Sequence, residues 1–346
     1  MNAFDLSKII RTNVKLLKPY SSARDDFKGD HASVFLDANE NPFPSDYNRY
    51  PDPHQKNLKD TLSALKNISA DQIFLGNGSD EVIDLLIRAF CEPAHSNVII
   101  PQPTYGMYSV SASVNDVRIK NVLLTDQFDV DVPAIRNEIN SETRLIFLCS
   151  PNNPTGNLLT ESKMEELLQS FIGLIVVDEA YIDFADTRGF VPLLDKFPNL
   201  VVIQTLSKAW GLASIRLGIC FASMEIIQVL NKIKPPYNIS SLTQSTAQRY
   251  LENPTQKENW VRLIRQERES LRNKLSQLSV VRQVYPSEAN FLLVRVTDAG
   301  QVYQELIAKG VVVRDRSQVQ LCGQCLRITV GTPQENDVLV KEMSQL

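Results

Sequence analysis

The chain has 346 residues, 43% of them hydrophobic and 22% charged, with a formal net charge of −4. This is the length and balance of a globular chain with one large domain or a large and a small one, and it offers no basic face to nucleic acid or to an anionic membrane. Five scattered cysteines fit a reducing compartment rather than a disulfide framework; with no secretory h-region in Met1–Lys18 and no apolar run near ~18 residues, a cytoplasmic protein is expected.

Leu6–Leu17 reads as a short amphipathic helix or arm. Lys18-Pro19-Tyr20 ends it, because a residue before proline avoids the helical region. Val34–Leu36 is predicted as a short strand and Asp37–Pro44 as a polar, proline-broken loop. Tyr50–Pro53 forms a second loop, and Gln55–Leu65 a helix. From about residue 72 the rhythm changes. Apolar runs at Ile73–Leu75, Val98–Ile100, Leu145–Cys149, Leu174–Val177, Leu200–Ile203 and Gly218–Phe221 alternate with helical segments. One helix carries Val82, Ile83, Leu86, Ile87 and Phe90 on one face; another carries Met164, Leu167, Leu168 and Phe171 after Thr160, a predicted N-cap. Strands that are apolar throughout, separated by amphipathic helices, predict an α/β fold whose mostly parallel sheet is covered on both faces.

Pro235-Pro236 breaks that pattern. Helices are predicted over 238–252, 258–278, 301–309 and 335–343, and strands over 291–294, 310–313 and 326–330. This α+β pattern reads as a smaller domain. The expected organisation is a large domain over 30–237 and a small one built from 1–29 and 238–346. Cys322 and Cys325 have CxxC spacing but no second pair or nearby histidine, so they read as ordinary thiols.

Open parallel sheets bind ligands at the carboxyl ends of their strands, and each candidate motif follows one of the apolar runs. Gly76-Asn77-Gly78-Ser79-Asp80 opens a helix, where backbone amides can hold an anion or a glycine turn can simply start the helix. It is neither the GxGxxG of a dinucleotide fold nor a Walker loop. Tyr105, set between Pro103-Thr104 and Gly106, is either a flat face for a ring or a buried loop aromatic. Asn153 sits in Ser150-Pro151-Asn152-Asn153-Pro154-Thr155-Gly156, a rigid loop that can donate to a ligand oxygen or be a plain turn. Asp178 ends an apolar strand, where it is desolvated and calls for a cationic or hydrogen-bonding partner, unless it caps the next helix. Lys208 follows 30 residues later and Arg216 eight after that: an amine that can form a Schiff base and a guanidinium that can grip phosphate.

One ligand satisfies all of these demands together. A phosphate would take the Gly78-Ser79 helix start, Ser207 and Arg216; a cationic ring nitrogen Asp178; a phenolic oxygen Asn153 and Tyr181; an aldehyde Lys208; and a flat ring Tyr105. Pyridoxal 5′-phosphate carries every one of these groups.

The order and spacing of Ser150–Gly156, Asp178-Glu179-Ala180-Tyr181, Ser207-Lys208 and Arg216-Leu217-Gly218 resemble those of the fold-type I pyridoxal-phosphate aminotransferases, and the likeness runs over nearly the whole chain. Within that family, Asn39-Glu40-Asn41-Pro42, Arg88–Pro93, Pro103–Tyr108 and Cys325–Thr332 look most like the branch that acts on histidinol phosphate in histidine biosynthesis.

The resemblance implies roles by position. Lys208 would hold the cofactor and act as base and acid, and Asp178 would pair with the ring nitrogen. Asn153 and Tyr181 would bond the phenolic oxygen, and Tyr105 would stack on the ring. Gly78, Ser79, Asp80, Ser207 and Arg216 would surround the phosphate. Tyr50 would reach the cofactor phosphate of a neighbouring subunit, which implies a homodimer. Arg327 would bind the anionic end of the substrate, with Tyr20, Asn41 and Arg314 as further candidates; for Arg314, a solvated cluster with Asp315 and Arg316 is the plain alternative. The implied reaction joins histidinol phosphate and 2-oxoglutarate to imidazole-acetol phosphate and glutamate. An aromatic or aspartate aminotransferase, or an amino-acid-phosphate decarboxylase, would share Lys208 and Asp178 and differ in the anion pocket. Only three histidines, His31, His54 and His95, are present, and they suggest no histidine-based mechanism.

Overall fold

Six apolar strands and one polar one assemble the larger sheet of the computed structural model, which describes residues 4–21 and 34–346. The strands are β1 (Ile73–Asn77), β2 (Asn97–Gln102), β3 (Arg118–Leu123), β4 (Thr143–Cys149), β5 (Leu174–Asp178), β6 (Leu200–Thr205) and β7 (Leu217–Ala222), in the order β1-β7-β6-β5-β4-β2-β3. From β3 to β6 all neighbours are parallel. β7 is inserted antiparallel between β6 and β1.

Side chains alternate across a strand, and here both faces are buried. Ile175 and Val177 of β5 join one core, with Leu167 and Leu168 of the helix Glu161–Ser170. Leu174 and Val176 join the opposite core, with Val82, Ile83, Leu86 and Phe90 of the helix Ser79–Phe90. Each fully buried Val, Leu or Ile contributes about 1.5–3 kcal/mol, so these two apolar layers dominate the stability of the large sheet.

A second, antiparallel sheet comprises β8 (Val281–Val284), β9 (Phe291–Val296), β10 (Arg314–Asp315) and β11 (Cys325–Thr329), in the order β10-β11-β9-β8. Its Leu292, Val294, Leu326 and Ile328 pack against Leu271, Leu306 and Leu339 from three helices: Thr255–Leu275, Ala299–Ala308 and Pro333–Met343. Thr332 and Glu335 close a capping box at the start of the last of these. The architecture is therefore α/β with a mostly parallel sheet, joined to a smaller α+β unit.

Four local expectations need correction. Val34–Leu36 forms no strand; its residues are exposed and irregular. Gly310–Val313 is irregular too, and pairing begins only at Arg314. Thr160 sits at a helix start without capping it, because its hydroxyl instead donates to Asp129 Oδ2 at 2.7 Å. Leu6–Leu17 is split into a 3-10 turn, Leu6–Lys8, and a five-residue helix, Thr12–Leu16. The edge strand β3 and the short β8 have no counterpart among the expected strands; both are half polar. The domain boundary expected at residue 30, and His31, lie outside the described residues.

Candidate active site

The large sheet delivers the candidate residues to one edge. Gly78 follows β1, Tyr105 follows β2, Asn153 follows β4, Asp178 is the last residue of β5, and Lys208 lies three residues past β6. Arg216 immediately precedes β7, and because β7 is antiparallel its start lies at that same edge. Ser79, Asp80, Tyr105, Asn153, Asp178 and Tyr181 line a single pocket there, together with Ser207, Lys208 and Arg216.

Asp178 is fully enclosed. Its Oδ2 accepts from the Tyr108 hydroxyl at 2.6 Å and its Oδ1 from the Ala180 N–H at 3.0 Å. Burial raises its pKa, and the two hydrogen bonds oppose the rise. It makes no ion pair among the described residues. Glu179, directly behind it, is also buried and accepts from the Phe190 N–H at 2.6 Å and Gln204 Nε2 at 2.8 Å. Burial pushes its carboxyl up to about 7.

The Lys208 amine makes no hydrogen bond or ion pair among the described residues and stands 5.7 Å from the centre of the Tyr181 ring. Burial lowers its pKa, with a further push from the Arg327 charge and then from Arg216; Asp178 pulls the other way. Tyr181 itself is buried and meets Phe291 of β9 edge-on at 5.1 Å. Burial raises its hydroxyl pKa.

The anion end is assembled by a tight crossing of chains. Gly78 has φ +79°, a conformation open to glycine, and its N–H donates to the Arg216 carbonyl at 2.8 Å. A Cβ on Gly78 would stand 2.6 Å from Arg216 Nη2, and one on Gly218 would run into the backbone of Gly78 and Ser79. Arg216 adopts the left-handed region at φ +53° and pairs with Asp80 at 3.5 Å. Tyr105 donates to Asp80 Oδ1 at 3.1 Å and meets Tyr108 edge-on. Thr205 joins the pocket wall and hydrogen-bonds the Ser207 hydroxyl at 3.0 Å.

Arg327 of β11 bridges the two sheets: its Nη1 donates to Asn153 Oδ1 at 2.6 Å. Arg314 lies directly opposite Arg327 in the ladder and is exposed. Besides Arg314, three candidates neither line the pocket nor bond to a residue that does. Tyr50 is 52% exposed and stacks on Tyr237 at 4.4 Å, Tyr20 is 75% exposed, and Asn41 turns its Oδ1 to the Phe43 N–H. Sequence reasoning missed Tyr108, the partner of Asp178. Its signal was spacing: it falls three residues after Tyr105, about one helical turn. Cys149, also in the wall, gave no signal beyond being the last residue of an apolar run.

The sequence pattern of "Aminotransferase class I and II" matches residues 29–343. The chain belongs to this family. A histidinol-phosphate aminotransferase of Cytophaga hutchinsonii is 57% identical, over 98% of each chain. One of Parabacteroides distasonis is 54% identical, over 99% of each. Among solved structures, the histidinol-phosphate aminotransferase of Clostridium acetobutylicum superposes with a TM-score of 0.80 at 23% identity, covering 86% of this chain and 90% of that one. The enzyme of Sinorhizobium meliloti in complex with pyridoxal-5′-phosphate also gives 0.80, at 22% identity, covering 87% and 83%. These two establish the shared fold.

As a class I and II aminotransferase, the protein takes pyridoxal phosphate as its cofactor. The pocket fits that group. It offers a buried carboxylate with no cation and an amine with no hydrogen bond or ion pair among the described residues, and a guanidinium at a glycine cradle that has no room for a Cβ.

Proposed function

We propose that this aminotransferase interconverts histidinol phosphate plus 2-oxoglutarate with imidazole-acetol phosphate plus glutamate, a step of histidine biosynthesis. The observation that carries the substrate is kinship over the whole length: relatives of that name are 57% and 54% identical across nearly every residue. The pocket supports the chemistry.

Pyridoxal phosphate, when bound, supplies an electron sink for the negative charge left at the substrate Cα. Lys208 would hold the cofactor through its amine, and that same amine is placed to take and return the proton at the substrate Cα. The lowered pKa of this lysine puts more of its amine in the basic form near neutral pH. Asp178 supplies the negative charge that keeps the ring nitrogen protonated, and Tyr108 orients that carboxylate. Asn153 and Tyr181 donate to the phenolic oxygen; with Asn153 Oδ1 taken by Arg327, its Nδ2 is left to donate. Tyr105 offers the stacking face. Gly78, Ser79, Asp80, Ser207 and Arg216 surround the phosphate, where the helix N-terminus adds a favourable dipole. Arg327, joined by Arg314, Tyr20 and Asn41, receives the anionic end of each substrate.

The same reading makes the protein a cytoplasmic homodimer, with Tyr50 serving the neighbouring subunit. The support for a homodimer is that Leu36, Phe43, Tyr47 and Tyr50 are all exposed, apolar side chains that a second copy would cover. No helix among the described residues is long and apolar enough to cross a membrane.

The test is a comparison of half-reactions, followed by the visible spectrum of the purified protein with histidinol phosphate, phenylalanine and aspartate. Rapid conversion by histidinol phosphate alone is expected. Preference for phenylalanine or aspartate would replace the substrate assignment, and release of carbon dioxide would replace the reaction.

A further inference from the structure

Four arginines project from one face of the small sheet. In the ladder Arg314 pairs with Arg327, and Arg327 with Leu293; on the next row Cys325 pairs with Arg295. The Arg316 N–H donates to the Cys325 carbonyl at 2.9 Å, which extends that row. Paired residues point to the same side of a sheet, and so do residues two apart on a strand. Arg314, Arg316, Arg327 and Arg295 therefore share a side, opposite Leu292, Val294, Leu326 and Ile328 of the small core. Leu293 and Cys325, on the arginine side, pack into a core of the large sheet. The guanidinium face thus turns toward the pocket, as the Arg327–Asn153 bond shows directly.

None of the four makes an ion pair with a carboxylate among the described residues. Arg327 has Asn153, and Arg295 lies over the Tyr285 ring at 5.6 Å. Arg314 is exposed to water. Arg316 is half-buried, and its Nε, like that of Arg295, is enclosed without a hydrogen-bond partner among the described residues; of the two, Arg316 is the one two residues from Arg314, the partner of Arg327 in the ladder. Burial and the charges of Arg327 and Arg314 lower its pKa. Like charges side by side in a ladder are unfavourable, and unmade hydrogen bonds of a buried donor cost more. An anion seated among the three would offset both.

The charge decides which anion. A carboxylate has one charge and two oxygens, and one guanidinium fork can satisfy it. A phosphate monoester carries about −1.5 to −2 charges and three acceptor oxygens near neutral pH. We infer that Arg316 is a specificity-determining residue that joins Arg314 and Arg327 to hold the phosphate end of the substrate, and that it contributes little to holding glutamate. The inference rests on the reading that histidinol phosphate is the substrate.

Half-reactions of the holoenzyme test it with Arg316→Gln and Arg316→Lys beside the wild type, using histidinol phosphate and glutamate separately. Loss of a charged hydrogen bond predicts a rise of roughly ten- to a hundredfold in the half-saturating histidinol phosphate concentration for Arg316→Gln. The glutamate value should move less than about threefold by the same conversion, with bound-cofactor absorbance unchanged. Arg316→Lys, which keeps the charge and loses the fork, should fall between. Equal changes for both substrates, or none, would overturn the inference while leaving the substrate reading intact. A wild-type enzyme that ignores histidinol phosphate but reacts with glutamate would remove the reading and the inference together.

Discussion

The two sheets put charge to opposite uses. At the carboxyl edge of the large sheet, burial moves ionisable groups toward their neutral forms: Asp178, Glu179 and Tyr181 upward, Lys208 downward. On the arginine face of the small sheet, guanidiniums stay charged, as the delocalised guanidinium does in proteins. The first region suits Lys208, the group that gains and loses a proton during turnover, because a lowered pKa leaves more of its amine in the basic form. The second suits the fixed reception of an anion. One pocket needs both, and the Arg327–Asn153 bond is where they meet.

The sharpest way to break this contrast is Lys208→Ala. It should abolish the visible band of lysine-bound cofactor and cut turnover by at least ~10²–10⁴-fold, the usual worth of a positioned general base. A variant that kept both would end the assignment of Lys208. On the other side, Arg327→Ala should weaken substrates by roughly ten- to a hundredfold, the scale of a charged hydrogen bond, and leave cofactor affinity nearly untouched. Titrating apo-protein with pyridoxal phosphate checks this, and an equal loss of cofactor would mean that Arg327 acts through Asn153 instead.

Glu179 allows a measurement of the large-sheet rule away from the chemistry. Its folded pKa is raised to about 7 from 4.5, so its contribution to stability is full below 4.5 and is lost as pH rises through 7. Glu179→Gln does not titrate. The stability of wild type relative to this variant should fall with rising pH across that window, by on the order of 3 kcal/mol at about 1.4 kcal/mol per unit. Urea unfolding at several pH values would show it, and parallel curves would refute the burial argument. Tyr108→Phe is the gentlest test. It leaves Asp178 Oδ2 short of a donor and should cost about 1–3 kcal/mol in unfolding free energy. It should also raise the Asp178 pKa further, seen as a shifted pH profile of the cofactor band. An unmoved profile would show that Tyr108 only fills space.

Where sequence reasoning succeeded and failed follows the same physics. β1, β2 and β4 to β7 were visible because an apolar run that must be buried on both faces has few alternatives. β3 and β8 were not, because Arg118-Ile119-Lys120-Asn121 and Val281-Arg282-Gln283-Val284 are half polar, and only a neighbouring strand makes them strands. Val34–Leu36 and Gly310–Val313 show the converse: β-prone residues that enter no ladder among the described residues stay irregular. Thr160 failed as a cap because Asp129, 31 residues away in the chain, claimed its hydroxyl. In the site, Lys208, Asp178, Asn153, Tyr181 and Arg216 were legible because each stands beside a strand end. Tyr108 and Arg316 were not, since the first acts through a contact 70 residues distant and the second through cross-strand register.

By itself, then, the chain's sequence determined the apolar strand succession, the edge at which chemistry-bearing residues would gather, and the cofactor whose groups match them. These are properties of residue type and short-range spacing. Only the tertiary structure decided which buried carboxylate keeps a hydrogen-bonding tyrosine, which arginines share a face, and which β-prone segments are strands. Each of these depends on pairing between distant parts of the chain, and on the loss of water that such pairing brings.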